Sequence, residues 1–200
     1  PSGSSLIHSH LQVFATSSQP NLMREELTAA RAYSSEQRSN FWDDLVNEEV
    51  AADVRYLGKI GRSHWMLSYA PLGVAGDVLA LVEGVSATLE LNDNDLMDIS
   101  QGLIRIMKAY DRMGIYSFNM NFFPGQPGDD FARFHLIFSP RTFFNQSLGT
   151  PDIGALRNLF NETLCMAYPE EIRNMLKPDF DQGIEIISPD TNEHYRKNHI

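Results

Sequence analysis

The sequence predicts an α+β fold, and the order of its segments, its length and its composition support that prediction. Strand-like and helix-like segments come in blocks: three strand-like segments precede a long helical one, and two more follow it. The chain has 200 residues, 42% of them hydrophobic, which is enough to build a sizeable core. It contains no apolar run of membrane-spanning length and no signal-peptide pattern, so we expect a soluble, cytoplasmic protein.

The first part of the chain predicts a short strand followed by two helices. Residues 8–14 are expected to form the strand. Asn21 is a suitable N-cap for a helix over residues 22–33, which two consecutive serines are then expected to end. A second helix is predicted over residues 36–52. Its apolar stripe consists of Phe41, Trp42, Leu45, Val46 and Val50.

The rest of the chain predicts five strands and further helices. The predicted strands are residues 54–60, 64–70, 78–82, 115–123 and 131–138. A run of Asn and Asp over residues 92–95 marks the start of a helix, and Gly114 marks its end. Two more helices are predicted near residues 152–166 and after Pro169, before a polar tail.

Charge and cysteine content exclude some functions. The net charge of −10 argues against general binding to a nucleic-acid backbone, which favours a basic surface. A small phosphorylated substrate needs only a local group of donors, so acidity does not exclude it. Cys165 is the single cysteine, which rules out an intramolecular disulfide and fits a reducing compartment. Its apolar neighbours favour a buried, inert thiol.

The residues with the clearest chemical meaning lie near the start of the chain. His8, His10 and Gln12 are spaced by two, so a strand would place their side chains on one face. An imidazole with a pKa near ~6.5 is largely neutral, and therefore nucleophilic, at cellular pH. Alternating histidines are also found on half-exposed strand faces without a chemical role, and that interpretation stays open.

A donor-rich loop precedes this strand. Gly3, Ser4 and Ser5 provide backbone N–H groups and hydroxyls that can close around phosphate oxygens. A nucleophilic imidazole beside a phosphate-binding loop suits the transfer of a nucleotidyl group through a covalent intermediate. The loop and the strand together therefore favour a catalytic role over a structural one.

This segment resembles the active-site signature of the galactose-1-phosphate uridylyltransferase branch of the histidine-triad (HIT) superfamily, Gly-x-Ser-x-x-His-x-His-x-Gln. The residues at its fixed positions are Gly3, Ser5, His8, His10 and Gln12. A weaker, colinear similarity extends to about residue 171. The same branch includes ADP-glucose phosphorylase and diadenosine tetraphosphate phosphorylase.

The resemblance implies a HIT-like fold, an antiparallel sheet with flanking helices. It divides the chain into residues 1–52, the end of a first HIT-like unit, residues 53–180, a second and catalytically degenerate unit, and a tail over residues 181–200. A full member of the family would carry a preceding half, so we expect the C-terminal portion of a longer protein. Family members commonly dimerise, which implies a homodimer.

The resemblance also implies a mechanism, in which His10 attacks the α-phosphorus of a nucleotide sugar or dinucleotide. Ser5 and Gln12, with Gly3 and Ser4, would bind phosphate oxygens. The wider HIT hydrolases carry a third histidine where this chain has Gln12, and a neutral amide cannot act as an acid or activate water well. We therefore expect transfer to a phosphorylated acceptor. A phosphorylase and an inactive nucleotide-binding homologue are the alternatives.

Metal binding is implied at two places. His8 resembles a structural zinc ligand whose partners would lie outside this chain; a histidine hydrogen-bonded within the sheet is the alternative. Glu26 matches a glutamate that helps bind a second metal in some uridylyltransferases. His135 matches a histidine of that site, but Ile137 stands two residues later and residues 116–124 contain no histidine. We expect that second site to be lost and Glu26 to be a surface charge.

Substrate recognition is predicted to differ from that of the named enzyme. The segment 149–164 lacks the lysine, Tyr-Glu pair and glutamine of the family's sugar site, so the expected substrates are a nucleotide and a sugar phosphate of unassigned identity. Arg133 and His135 share a strand face and could contact a substrate phosphate. Arg141 is expected to face solvent. His64 is expected to be packed, and the phenylalanines between residues 118 and 138 are expected to form core.

Overall fold

The computed structural model describes residues 18–73, 75–141, 165 and 167–183. Within these residues, four α-helices, one 3-10 turn and five strands follow one another along the chain. The helices are α1 (Asn21–Gln37), α2 (Phe41–Ala52), α3 (Asp93–Arg112) and α4 (Pro169–Gln182), and the 3-10 turn is Thr88–Glu90. The strands are β1 (Tyr56–Ile60), β2 (Ser63–Leu67), β3 (Val78–Val82), β4 (Phe118–Phe123) and β5 (His135–Pro140).

The five strands form one sheet in the order β1-β2-β3-β5-β4, and every neighbouring pair is antiparallel. The predicted α+β architecture with an antiparallel sheet is therefore confirmed. The register pairs His64 of β2 with Leu81 of β3, and Leu81 in turn with His135 of β5. Both histidines consequently lie in one row on the same face of the sheet.

Helices cover both faces of the sheet, which explains why β2 and β3 are buried along their whole length. One face packs against α3 and α4 in the larger core. This core includes Trp65, Leu67, Val78, Ala80, Ile99, Ile106, Leu136, Phe138, Leu176 and Phe180. The other face packs against α2 in a smaller core made of Trp42, Val46, Met66, Leu79 and Leu81. The row that contains the two histidines belongs to this second face.

The boundary between the first two helices differs from the prediction. The serine pair does not end α1, because the helix runs on to Gln37, and the hydroxyl of Ser35 donates to the carbonyl of Arg31 at 3.0 Å. A serine hydroxyl bonded back to the preceding turn is compatible with a continuing helix. The helix ends where Arg38 adopts a left-handed conformation with φ of 57°. Asn40, whose side chain accepts from the N–H of Trp42 at 2.9 Å, then caps α2.

The start of α3 agrees with the prediction. The side chain of Asn92 accepts from the backbone N–H groups of Asn94 and Asp95, and the carboxylate of Asp95 accepts from the N–H of Asn92. This reciprocal capping box fixes the first turn. The helix ends before Gly114, as expected. The strand predicted over residues 8–14 and the helix predicted near residues 152–166 lie outside the described residues.

Candidate functional site

The segment predicted to carry catalysis lies outside the described residues. This applies to all six of its candidates, Gly3, Ser4, Ser5, His8, His10 and Gln12. The described chain starts at Ser18, and α1 follows three residues later at Asn21. The roles of the six candidates therefore remain predictions, and the residues that the structure does position lie on α1 and on the sheet behind it.

His135 is the most deeply buried of the candidate polar side chains that the structure describes. Its side chain is buried, with 1% exposed, at the start of β5. The ring lies between the indole of Trp42, at a centroid distance of 4.1 Å, and the ring of Phe123, stacked at 4.9 Å. Nδ1 lies 2.9 Å from the carbonyl oxygen of Arg133. Because a carbonyl oxygen only accepts, Nδ1 must carry the proton of this bond.

Glu26 faces the other nitrogen of this ring. Its Oε1 lies 3.4 Å from Nε2 of His135, and only 22% of the Glu26 side chain is exposed. The prediction that Glu26 is an ordinary surface charge is therefore wrong. Helix α1 packs against α2, which itself covers the sheet, and this arrangement directs Glu26 toward β5. The resemblance matched Glu26 and His135 to ligands of one metal site, and the structure places the two side chains next to each other.

The surroundings of this pair contain few further metal ligands. Ile137, two residues along β5, packs with the apolar cluster around Trp42. Among the residues that the structure describes, no group of three or more His, Cys, Asp and Glu side chains is placed to hold a metal ion. Two donors do not complete the four or more positions that protein-bound transition metals usually occupy. The described residues thus bring two possible ligands, Glu26 and His135, close together, and the loss of the second metal site stays a prediction.

Arg133, which was predicted to contact a substrate phosphate, is bonded within the fold. Its Nε and Nη2 donate to the two carboxylate oxygens of Asp43 at 2.9 and 2.6 Å, and Nη1 donates to the carbonyl of Ala132. The arginine side chain is 15% exposed. All three nitrogens are thus occupied within the fold, and the bidentate pair connects α2 to the segment that enters β5.

His64 belongs to a separate polar chain on the same sheet face. Its Nδ1 lies 2.9 Å from the hydroxyl of Tyr56, and its Nε2 lies 3.6 Å from Glu83, which accepts from Lys59 at 2.6 Å. Burial, and then the charge of Lys59, lower the pKa of His64. Hydrogen bonding to Lys59 lowers the pKa of Glu83. These contacts agree with the interpretation of His64 as a packed and partnered histidine.

The phenylalanines of β4 and β5 mostly form core, as predicted. Phe134 and Phe138 are buried, Phe118 stacks on Phe138 at a centroid distance of 4.6 Å, and Phe123 covers His135. Phe122 departs from this pattern with 46% of its surface exposed. One exposed ring does not make a platform on which a base is held between two aromatic faces.

Cys165, expected to be buried, is only partly buried. Its Sγ donates to the carbonyl of Ala167 at 3.0 Å. In the described part of the chain, no helix combines the length and the apolar character that crossing a membrane requires. Neither observation adds a residue to the candidate site.

The sequence did not identify the aromatic rings that enclose His135. Trp42 was assigned to an apolar helix stripe, and Phe123 to a strand core; both assignments are correct but incomplete. Phe123 is the cross-strand partner of His135 in the β4–β5 register. The alternation of the two strands could have suggested this neighbour, because residues directly opposite share a face. Trp42 stands 93 residues before His135 in the sequence. No local sequence signal indicates that the helix carrying Trp42 brings it against His135.

Comparison with solved structures assigns the fold. A structure of uridylyltransferase superposes with a TM-score of 0.74, covering 92% of this chain and 58% of that chain at 17% sequence identity. This chain has the uridylyltransferase fold. A uridylyltransferase mutant agrees with a TM-score of 0.68 over 82% of this chain and 55% of its own, at 16% identity. The predicted α+β, HIT-like fold is thereby confirmed.

Sequence comparisons are less informative than the fold. No family model matches the sequence. An uncharacterized protein of Archaeoglobus fulgidus is 23% identical over 171 residues, covering 86% of this chain and 51% of that protein. The chain therefore spans about half the length of its archaeal relative and 58% of the uridylyltransferase whose fold it has.

Proposed function

We propose that this chain is the nucleophile-bearing portion of a nucleotidyltransferase that moves a nucleoside monophosphate between phosphorylated substrates. The proposal depends on one observation. The signature formed by Gly3, Ser5, His8, His10 and Gln12 directly precedes a described region with the uridylyltransferase fold. A sequence signature alone is weak support for a function. A signature that directly precedes a region with the matching fold is stronger support.

The proposed reaction has two steps. An imidazole nitrogen of His10 attacks the α-phosphorus of a nucleotide sugar, a phosphorus–nitrogen bond forms, and the sugar phosphate leaves with the electron pair of the broken phosphorus–oxygen bond. A phosphate oxygen of the second substrate then attacks the same phosphorus, and the phosphorus–nitrogen bond breaks to regenerate His10. The covalent intermediate divides one difficult exchange into two displacements.

The neighbouring residues have supporting roles in this proposal. Gly3, Ser4 and Ser5 donate to the phosphate oxygens, where negative charge increases in each displacement. Gln12 donates to the same group through its amide and supplies no acid or base. A backbone carbonyl that accepts from the second nitrogen of His10 would keep the attacking nitrogen unprotonated. Small nucleotides and sugar phosphates are the proposed partners, with neither nucleic acid nor membrane.

The proposal includes the predicted division of the chain. Residues 1–52 would complete a first unit, residues 53–180 would form a second unit without catalysis, and residues 181–200 would be a tail. A structural zinc at His8, which requires ligands from outside this chain, and a homodimer belong to the proposal for the whole protein. A cytoplasmic location is the natural setting for such metabolites.

Two alternatives remain, each with its own support. A phosphorylase would use inorganic phosphate as the second substrate and would form the same intermediate on His10. An inactive nucleotide-binding homologue is favoured by Arg133, whose guanidinium bonds to Asp43 and Ala132 within the fold, and by the absence of the family's sugar-site residues from segment 149–164. The presence of the complete signature favours an enzyme, because binding alone requires no nucleophile.

Mass spectrometry of the intact full-length protein tests the proposal. The protein is mixed separately with UDP-glucose, ADP-glucose and diadenosine tetraphosphate. We expect one donor to add the mass of a nucleoside monophosphate, and that mass identifies the base. The adduct should be absent in His10→Ala and present in His194→Ala, a matched control in the predicted tail. A folded protein that forms no adduct with any donor would refute transfer from these donors and favour the inactive homologue.

A further inference from the structure

Strand β4 forms an open edge of the sheet in the described part of the chain. It pairs with β5 on one side, and no described strand lies on its other side. At the next position of the same register, the N–H of Arg141 donates to the carbonyl of Ser117 at 2.7 Å. Hydrogen-bonded and non-hydrogen-bonded pairs alternate along an antiparallel ladder. Phe118, Met120 and Phe122 therefore direct their N–H and C=O groups to the open side.

The opposite edge of the sheet, β1, is protected. Its register with β2 shifts between Tyr56 and Gly58, as at a β-bulge, and Lys59 adds a charge. Helix α4 packs against β1, and Arg173 donates to the carbonyl of Tyr56 at 2.9 Å. Proteins use bulges, charges and covering helices to keep an edge strand from pairing with another chain. Strand β4 has a continuous register and contains neither a charge nor a proline, which indicates that its open edge pairs with another strand.

The sequence of β4 reads the same in both directions over five residues, Phe118, Asn119, Met120, Asn121 and Phe122. Two such strands can pair antiparallel around a two-fold axis at Met120. Phe118 then lies opposite Phe122 of the other strand, and Asn119 lies opposite Asn121. In this register the residues whose N–H and C=O groups face the open side become the hydrogen-bonded pairs. The two asparagine amides meet on one face of the sheet, where each can donate to and accept from the other.

A groove of about 470 Å³ lies beside the start of β4. The C-terminal half of α3 and residues 115–118 line it, and Ile104, Met107 and Phe118 contribute apolar side chains. Phe122 is exposed near the other end of the strand, on the same sheet face as Phe118. With Met120 on the axis, Phe122 of a second copy comes next to Phe118 and thus to the groove. Each copy therefore supplies one exposed ring and one apolar groove, so the surface is complementary to itself.

We propose that β4 pairs with β4 of a second copy of this chain around a two-fold axis at Met120, so that two five-stranded sheets become one continuous sheet. The N–H and C=O groups of Phe118, Met120 and Phe122 form the main-chain bonds of this interface, and Phe122 enters the groove of the other copy. The inference rests on the homodimer of the proposed function and gives that dimer an interface. It uses no step of the transfer reaction.

Substitutions at the two exposed asparagines test both the interface and its register. Asn119→Asp/Asn121→Asp places carboxylates opposite each other across the axis, whereas Asn119→Lys/Asn121→Asp places opposite charges there. Sedimentation equilibrium of the full-length protein measures the dimer. We expect the first variant to weaken the dimer at least about tenfold and the second to keep it, because like charges directly opposite each other repel. Asn47→Asp/Asn94→Asp, at exposed positions of α2 and α3, introduces the same two negative charges as the first variant and should have no effect.

Two results of this experiment would overturn the interface. One is a full-length protein that stays monomeric at the highest concentration at which it is soluble. The other is a dimer that both asparagine variants leave unchanged while circular dichroism shows that they are folded. Adduct formation on His10 is measured in the same samples. An adduct on a monomeric protein would refute the interface alone, and a dimer that forms no adduct would refute the transfer reaction alone.

Hydrogen exchange on the unmodified full-length protein avoids any effect of substitution on folding. The backbone N–H groups of Phe118, Met120 and Phe122 should exchange more slowly in the concentrated dimer than in the diluted monomer. The N–H groups of Asn119 and Asn121, which face β5, should change less. Rapid exchange of the first group in the dimer would contradict the pairing. Protection that persists in the diluted monomer would show that another part of the full-length chain covers β4, and it would also overturn the proposal.

Discussion

At the scale of the residue, Asp95 shows how one side chain joins a helix start to a hairpin. Its Oδ2 accepts from the backbone N–H of Asn92 at 2.9 Å, and its two oxygens accept from Arg62 at 2.9 and 2.6 Å. Arg62 belongs to the turn between β1 and β2. Hydrogen bonding to this arginine lowers the pKa of Asp95. The carboxylate is thus stabilised in its charged form in the folded protein.

This shift predicts a dependence of stability on pH. Because the pKa of Asp95 is lower in the folded state than in the unfolded state, its contribution is present above the unfolded value and is lost as pH falls through the folded value. Asp95→Asn should reduce stability by about 1–2 kcal/mol at neutral pH. Thermal melts from pH 7 to pH 3 should show this difference shrinking below about pH 4. A constant difference across that range would show that the charge of Asp95 is not responsible.

At the scale of the element, α3 depends on a close approach to the sheet. Trp65 of β2 is fully buried, and its indole N–H donates to the hydroxyl of Ser63 at 2.9 Å. The six-membered ring of this indole occupies the space that a Cβ on Gly102 would require. Gly102 therefore lies in the middle of a helix because of packing, although glycine is a poor helix former.

The substitution Gly102→Ala sets helix propensity against packing. Propensity alone would stabilise α3 by about 1 kcal/mol, whereas the overlap with Trp65 should cost about 1–3 kcal/mol or more. Since both Trp65 and Gly102 are buried, we expect net destabilisation. Urea unfolding measures the change, and Ser100→Ala, at an exposed position of the same helix, should be close to neutral. A more stable Gly102→Ala protein would show that the indole has room to move.

At the scale of the whole molecule, Arg55 joins elements that are distant in the sequence. Its Nε and Nη2 donate to Oε1 of Glu49 at the end of α2, at 2.9 and 2.7 Å, and its Nη1 donates to Glu170 of α4 at 2.8 Å. The Glu49 side chain is 4% exposed. Arg173 of α4 adds a bond to the carbonyl of Tyr56 at 2.9 Å. These contacts connect helices on opposite faces of the sheet through β1.

Outside the two hydrophobic cores, substitution of Arg55 should be among the changes that lower the stability of the protein most. Arg55→Met leaves the buried carboxylate of Glu49 without its partner, and the expected loss of stability is about 3–5 kcal/mol. Glu170→Gln removes only the more exposed partner, which is 43% exposed, and should cost about 1 kcal/mol or less. Chemical denaturation of both variants measures the contrast. Similar losses would show that Glu49 finds another partner or water.

The sequence by itself determined the types of most elements. The helical spacing after residue 92 and the run of Asn and Asp before it predicted α3, because caps and periodicity are local properties. The strand segments were predicted for the same reason, at slightly different bounds. The predicted end of α1 was wrong, because a serine hydroxyl can donate to a carbonyl of the preceding helical turn, as Ser35 does, and the helix then continues.

For the candidate site as well, some features could be predicted from the sequence and others were decided only by the tertiary structure. The signature around His10 is a sequence observation, since its meaning depends on residue spacing along one predicted strand. The partners of Glu26 and Arg133 were decided only by the tertiary structure, because Glu26 meets His135 and Arg133 meets Asp43 across separate elements. Which helix face meets which strand depends on register and packing over the whole sheet, and no local pattern encodes those distances.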